Sequence, residues 1–99
     1  MTSYKLIFHK DAKKFMKQHK EIGLKFFKAF TELAEDKNNF SNYQIKKVEG
    51  MKVKDIFRLR IGDYRAIFRV IDEEIVIFVF TIDSRGDIYK EIKNIKKKK

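Results

Sequence analysis

Apolar residues along this chain change their spacing near residue 43, and the change predicts a helical first half and a strand-rich second half. A short strand is expected at residues 3–8, and Asp11 stands where the N-cap of a helix is expected. The i, i+3, i+4, i+7 spacing that follows predicts one helical face. That face consists of Ala12, Phe15, Met16 and His19.

A second helix is predicted over residues 24–35, with a break from the first at Gly23 and an end at the run Lys37, Asn38 and Asn39. Its apolar residues form a stripe wide enough to pack on a sheet. The stripe comprises Leu24, Phe27, Phe30 and Ala34, with Phe26 and Leu33 beside them.

Beyond residue 43 the pattern becomes alternation, which is typical of strands. Strands are predicted at residues 44–48, 53–61 and 64–71, and Gly62 with Asp63 forms a two-residue hairpin turn between the last two. A tight turn at residues 72–73 leads to residues 75–82, which are almost wholly apolar and predict a central strand covered on both faces. A short helix or strand is expected at residues 88–95.

These elements predict an α+β domain, an antiparallel sheet of about four strands with two N-terminal helices packed on one face. The length of 99 residues suits one domain at residues 1–95, followed by a disordered basic tail at residues 96–99. There is no cysteine, and the two histidines are isolated, so we expect no disulfide, metal or cofactor. No segment is typical of a signal peptide or membrane span, so we expect a soluble cytoplasmic protein.

The chain is strongly basic, with 24 Lys and Arg against 14 Asp and Glu and a net charge of +10. An excess of lysine can reflect composition alone, but all five arginines lie in the second half of the sequence, at positions 58, 60, 65, 69 and 85. This charge favours a polyanionic partner, either a nucleic acid, an anionic membrane surface or an acidic protein.

The alternation predicts a candidate anion site on the sheet face that points away from the helices. Arg58 and Arg60 fall on that face of one strand together with Lys54 and Ile56, and the next strand contributes its own arginines there. Guanidinium groups bind phosphate through a planar bidentate fork. The remaining members of the candidate site are Arg65, Arg69, Arg85 and Tyr89.

Each candidate also has a purely structural interpretation. Arg60 and Arg69 can be solvated strand residues, and Lys54 can be one lysine among many. Tyr89 either stacks on a nucleic-acid base or is a core or edge aromatic. Arg65 either binds an anion or forms a structural ion pair; the acidic residues available for that pair are Asp63, Asp72 and Glu49.

Clustered cations without a histidine, a cysteine or a carboxylate pair can still support cleavage of RNA by its own 2′-hydroxyl. The cations stabilise the negative charge that develops on the phosphorane, which is usually the largest catalytic contribution. They also lower the pKa of a neighbouring lysine by like-charge repulsion, which can produce a base. This chemistry requires no metal.

The chain resembles the RelE/ParE toxin superfamily, and the RelE-type messenger-RNA interferases in particular, over nearly its whole length. The segment Leu-Arg-x-Gly-Asp-Tyr-Arg, which ends at Arg65, is the most characteristic. The matching segments are YKLIF at 4–8, AKKF at 12–15, KVEG at 47–50, FRLR at 57–60, GDYR at 62–65, VIDE at 70–73, and Arg85 with Ile88 and Tyr89.

The resemblance implies a toxin of a type II toxin–antitoxin system that cleaves messenger RNA on the ribosome, leaves a 2′,3′-cyclic phosphate, inhibits translation and is silenced by a cognate antitoxin. It implies that Arg65 stabilises the transition state, that Arg85 lies near the leaving group, and that Tyr89 orients or stacks on the substrate. Arg58 matches a basic RNA-binding residue, with Arg60 and Lys54 on the same strand. No membrane or small-molecule cofactor is implied.

One position departs from the RelE-type pattern, because Ile56 stands where a second lysine is expected. Arg58 also cannot act as a base, since guanidinium hardly deprotonates. The general base is therefore Lys54, Glu49 or absent. Two alternatives to a ribonuclease remain: a ParE-like toxin that binds gyrase without cutting RNA, and a non-catalytic RNA- or protein-binding module.

Overall fold

After one short strand the helices come first and the other strands follow, as the spacing predicts. The computed structural model describes residues 3–48 and 55–84; the predictions for Glu49, Lys54, Arg85, Tyr89, residues 88–95 and the tail lie outside these ranges. The elements are β1 (Lys5–Phe8), α1 (Lys10–Gln18), α2 (Lys20–Glu35), a 3-10 helix (Lys37–Asn42), β2 (Gln44–Lys47), β3 (Ile56–Ile61), β4 (Tyr64–Ile71) and β5 (Val76–Ser84).

The strands form one five-stranded sheet in the order β1-β5-β4-β3-β2, with two helices packed on one face. The predicted α+β class is confirmed, and the sheet is mostly antiparallel; it differs from the expected sheet of about four antiparallel strands in two details. The sheet has five strands, and β1 runs parallel to β5, with Lys5 opposite Val76 and Phe8 opposite Val79. Because two helices separate β1 from the other strands, the chain can return to the sheet in either direction.

The β3–β4 hairpin has the predicted register. Ile61 lies opposite Tyr64, and the two-residue turn between them contains Gly62 at a φ of +60°. A Cβ at this glycine would meet nothing within 4 Å, so backbone conformation alone favours glycine here. Leu59 and Ala66 point into the helix-side core, which places the alternate residues of both strands on the opposite face.

Strand β5 begins one residue later than predicted, because the preceding turn covers residues 72–75 and ends at Ile75 with a φ of +55°. It lies between β1 and β4, so it is an interior strand, whereas β4 is the middle strand of the sheet.

A bulge shifts the register between β4 and β5: Ile67 lies opposite Thr81, but Phe68 lies opposite Val79. The extra residue between Val79 and Thr81 changes the direction of the end of β5.

The boundary between the two helices lies earlier in the sequence than predicted. His9, and not Asp11, is the N-cap of α1, because its Nδ1 accepts a hydrogen bond from the Asp11 backbone N–H at 3.2 Å. The break between the helices falls at His19, and Gly23 lies buried within α2. A Cβ at Gly23 would lie 3.0 Å from both Cα and O of Met16, so this glycine permits close contact of the helices.

The buried face of α2 is rotated from the predicted stripe. Leu24 and Phe27 are 69% and 49% exposed, while Ala29 is buried with Phe26, Phe30, Leu33 and Ala34. The helix ends at Glu35 as predicted, but residues 37–42 then form the 3-10 helix.

Aromatic packing joins α2 to the sheet. The rings of Phe30 and Phe68 meet edge to face with centroids 5.1 Å apart, and Phe57 stacks on Phe68 at 5.7 Å. Such pairs stabilise a core beyond the area that they bury. This packing fixes which face of the sheet is covered by the helices.

Replacement of Gly23 by alanine should destabilise the fold by about 1–2 kcal/mol, because the new methyl group would press on the backbone of α1, which cannot move as a side chain does. The higher helix propensity of alanine acts in the opposite direction by about 1 kcal/mol and should not compensate. Urea unfolding measures the change, with the exposed Lys25→Ala as a control. A more stable Gly23→Ala protein would show that the helices can separate without cost.

Tyr43 should titrate abnormally, because its hydroxyl donates a hydrogen bond to Glu32 of α2. That bond, partial burial and the carboxylate charge together raise the pKa of Tyr43 from 10.0 to about 12. Since the folded pKa exceeds the unfolded one, the stabilisation is complete below pH 10 and is lost as the pH rises through 12. Ultraviolet titration of phenolate should show the Tyr43 pKa falling towards 10 in Glu32→Gln; an unchanged titration would exclude this bond as the cause.

Candidate nucleic-acid interface

The sheet face that points away from the helices, called the outer face below, carries the predicted arginines in cross-strand rows. Arg60 lies directly opposite Arg65, which in turn lies opposite Asp83. Arg58 lies opposite Ile67 on β4 and opposite Lys46 on the edge strand β2. Directly opposed residues share one face of a sheet, so the register brings these cations together.

The pairing of Arg60 with Arg65 is unfavourable in the free protein. Side chains directly opposite on neighbouring strands have Cβ atoms about 4.5–5.5 Å apart, and like charges at that spacing are destabilising. No ion pair of either arginine with a carboxylate is found within residues 3–48 and 55–84. The alternative pairing of Arg65 with Asp63 or Asp72 is therefore not observed, and an external anion would relieve the repulsion.

Burial differs among these cations. Arg60 is exposed, and its Nε donates a hydrogen bond to the carbonyl of Gly62 at 3.2 Å, which holds it at the hairpin turn. Arg65 and Arg69 are half-buried, and in the described part of the chain their Nε atoms are shielded from solvent without a hydrogen-bond partner. A polar group without a partner in such a place costs free energy unless a ligand satisfies it.

The sequence interpretation of Arg69 as a solvated residue is wrong, whereas Arg60 is solvated as expected. Arg69 lies opposite Ile56 on one side and Phe78 on the other, so apolar neighbours flank it on both strands. Those neighbours come from segments separated along the chain, and the pattern of β4 alone does not reveal them.

Ile56 is fully buried and lies outside the helix-side core cluster. It is held at the start of β3, where the Val48 N–H donates to its carbonyl at 2.8 Å. The position is therefore a packing position in this protein. A base in the candidate site must come from another residue.

Of the predicted site residues, the structure brings together Arg58, Arg60 and Arg65, and it places Lys46 beside them, a cation that sequence reasoning missed. Lys46 was missed because pairing with the edge strand is not evident from its own short pattern. Lys54, Arg85 and Tyr89 lie outside the described residues. Over residues 3–48 and 55–84, no three histidine, aspartate or glutamate side chains form a group that could hold a metal ion.

No helix in the described ranges is both long and apolar enough to cross a membrane.

Comparison with known proteins identifies the class. A family model described as the ParE toxin of the type II toxin–antitoxin system parDE matches residues 4–89. The chain therefore belongs to this toxin family, within the RelE/ParE superfamily, which confirms the resemblance seen in the sequence. A search of curated proteins found no match.

Solved structures agree with the family. RelE in the archaeal RelE–RelB complex from Pyrococcus horikoshii OT3 is similar at 27% identity and a TM-score of 0.72, over 86% of this chain and 98% of that one. Isolated E. coli RelE is similar at 26% identity and a TM-score of 0.62, over 94% and 99%. A free double mutant of E. coli RelE has 24% identity and a TM-score of 0.72 over 95% and 98%, which supports the fold alone.

Arg65→Gln should leave the stability of the free protein within about 1 kcal/mol of the wild type, because it removes both the repulsion from Arg60 and the attraction of the facing Asp83 carboxylate. Any difference should shrink at high salt, since screening weakens both interactions. Urea unfolding at low and high salt measures this, with exposed Lys28→Gln on α2 as the charge-matched control. A marked loss of stability in Arg65→Gln alone would identify Arg65 as a structural residue.

Proposed function

We propose that this toxin is a ribosome-dependent endoribonuclease that cleaves messenger RNA by attack of a 2′-hydroxyl and thereby inhibits translation. The observation that carries the proposal is the half-buried Arg65, with an unpartnered Nε and a second arginine directly opposite it. Protein groups that are already oriented towards a developing negative charge need no rearrangement during the reaction, and that is the main source of electrostatic catalysis.

Each residue has a proposed role in this chemistry. Arg65 stabilises the phosphorane. Arg58 lies on the neighbouring strand, two residues from the Arg60 that faces Arg65, and holds the scissile phosphate. Arg60 is exposed beside the turn and binds the RNA chain together with Lys54. Arg85 assists departure of the 5′-oxygen, and Tyr89 positions the base.

The base that accepts the 2′-hydroxyl proton is Lys54 or Glu49, or no protein group serves in this role. Position 56 offers none, because Ile56 is buried. A site with strong electrostatic stabilisation and a weak base still accelerates the reaction. Loss of one oriented hydrogen-bond donor alone typically lowers the rate 10²–10³-fold, so such stabilisation contributes a large part of the acceleration by itself. We therefore expect a nuclease whose rate depends more on Arg65 than on any base.

A cognate antitoxin is the proposed partner that silences the toxin. Solved relatives are complexes of RelE with RelB, including those from Pyrococcus horikoshii OT3 and E. coli. Because Arg60 and Arg65 on the outer face form no ion pair among the described residues, an inhibitor of this face must bring acidic groups or cover these arginines.

A second candidate function follows from the family description, which names ParE. A ParE-like toxin would bind gyrase and leave RNA intact. The two functions differ in their first cellular effect: new message ends and arrested translation for a ribonuclease, DNA damage for a gyrase poison.

Arg65→Gln should abolish toxicity and lower the rate of message cleavage about 10²–10³-fold. Primer extension on cellular messages after induction measures cleavage, and Lys28→Gln should cleave at the wild-type rate. Because Arg65→Gln is expected to keep its stability, loss of activity cannot be attributed to unfolding. Wild-type expression with DNA damage and no new message ends would refute the nuclease and support the gyrase function.

A further inference from the structure

The outer face carries an arginine that the proposed cleavage chemistry does not use. Arg69 lies on β4 four residues beyond Arg65 and on the same face, because the alternate residues Ala66, Phe68 and Val70 point into the helix-side core. Its side chain is half-buried. A charged side chain that is partly withdrawn from water normally has either a structural partner or a ligand.

Arg69 has no structural partner among the residues that the structure describes. Its Nε is shielded from solvent and makes no hydrogen bond, and no ion pair within residues 3–48 and 55–84 includes it. The residues directly opposite are apolar on both sides, Ile56 on β3 and Phe78 on β5. Arg65 differs, because Asp83 faces it from β5. No directly facing carboxylate on β3 or β5 therefore explains an arginine at position 69.

The apolar surroundings of Arg69 make it a stronger anion site than an exposed cation. Ile56 and Ile67 share its face of the sheet and are fully buried. Beside such residues the effective dielectric constant is lower, so attraction between opposite charges is stronger and less screened by salt. Arginine suits this place better than lysine, because guanidinium is weakly hydrated and binds phosphate through two parallel N–H groups.

Arg69 also continues a regular series of cations along the β3–β4 pair. The rows of directly opposed residues on the outer face are Arg60 with Arg65, Arg58 with Ile67, and Ile56 with Arg69. Each row contributes at least one arginine. Successive rows on one face are two residues apart, which is about 7 Å along a strand. Phosphates of an extended single strand repeat at a comparable spacing, so one polynucleotide chain can contact all three rows.

We propose that Arg69 binds a phosphate of the RNA chain other than the scissile one and thereby positions the message along β4. Arg65 lies two rows away, about 14 Å along the strand, so the two guanidinium groups hold different phosphates. This inference rests on the proposed RNA-directed function and deepens it, because it extends the bound substrate from one phosphate to a run of the chain. It also places a cation directly opposite Ile56, where a lysine is expected.

A run of phosphates suits this series of rows better than the acidic side chains of a protein do. A polynucleotide carries one negative charge at every repeat, which matches one arginine or more at every row. Acidic side chains of a protein have no such fixed repeat. The observations therefore favour RNA as the ligand of Arg69.

Binding of two RNA probes by the full-length toxin tests the proposal. Both probes carry 2′-O-methyl groups, which prevent cleavage; one is a dinucleotide with a single phosphate and the other is a hexanucleotide. We expect Arg69→Gln to bind the dinucleotide as the wild type does and the hexanucleotide about 10-fold more weakly. Arg65→Gln should weaken the binding of both. Lys28→Gln, the same charge change at an exposed residue of α2, should bind both probes normally.

The salt dependence of hexanucleotide binding shows whether the lost contact is a phosphate. Each phosphate contact on a single strand contributes about 0.7 to the slope of log affinity against log salt, so Arg69→Gln should lower the slope by about that amount. Arg69→Lys should keep the slope, because it keeps the charge, but should bind more weakly because lysine lacks the bidentate fork. A merely structural role would change the affinity without changing the slope.

Cleavage on ribosomes that carry a message separates positioning from chemistry. Arg69→Gln should raise KM and leave kcat near the wild-type value, because Arg69 holds the chain away from the reacting bond. Arg65→Gln should lower kcat instead. The urea midpoint of Arg69→Gln should equal or exceed that of the wild type, since an arginine without a partner is removed. A marked fall in the midpoint would make Arg69 a structural residue and overturn the inference.

Hexanucleotide binding by Arg69→Gln equal to that of the wild type, or the same loss with both probes, would also overturn the inference. Unchanged RNA binding with weaker binding of the cognate antitoxin would do so as well, and would assign Arg69 to an acidic protein. Because the probes are not cleaved and no ribosome is present, the expected binding pattern in a toxin that cuts no message would refute the proposed nuclease and leave the Arg69 site standing.

Discussion

The register of the β3–β4 hairpin is the constraint on which the rest of the structure depends. Gly62, at positive φ, closes a two-residue turn that places Ile61 opposite Tyr64. A slip of one residue would turn every side chain of a strand to the other face. It would bury the arginines against the helices and expose Leu59, so core packing and the cationic surface are fixed by the same turn.

The hairpin sets opposite requirements on its two faces. On the helix side, Phe68 packs against Phe30 and Phe57, and this packing stabilises the register. On the outer face, the same register forces Arg60 opposite Arg65, a repulsion without structural benefit. Proteins tolerate such local cost most often where function needs it, which is why we assign the cationic row to substrate binding.

Sequence reasoning was most successful where one strand or turn carries its own information. Alternation and the Gly62 turn correctly predicted the hairpin and the common face of Arg58, Arg60 and Arg65. It failed where the local structure depends on contact with a segment distant in the sequence. Gly23 reads as a helix break, yet it is glycine because Met16 of the other helix approaches it.

Features formed by separated segments were hidden for the same reason. The burial of Arg69 depends on strands before and after its own. The parallel pairing of β1 depends on the path of two intervening helices. The space between α1 and the end of β5 is lined by residues from α1, β4 and β5, and no local pattern unites them.

The central claim is that the outer-face arginines cut RNA, and it is tested most directly with purified ribosomes that carry a defined message. On this account the wild-type toxin cleaves the message in the ribosome without added cofactor and leaves a 2′,3′-cyclic phosphate, and Arg65→Gln leaves it intact. An intact message with wild-type toxin, under conditions in which the toxin traps gyrase on cleaved DNA, would contradict the account.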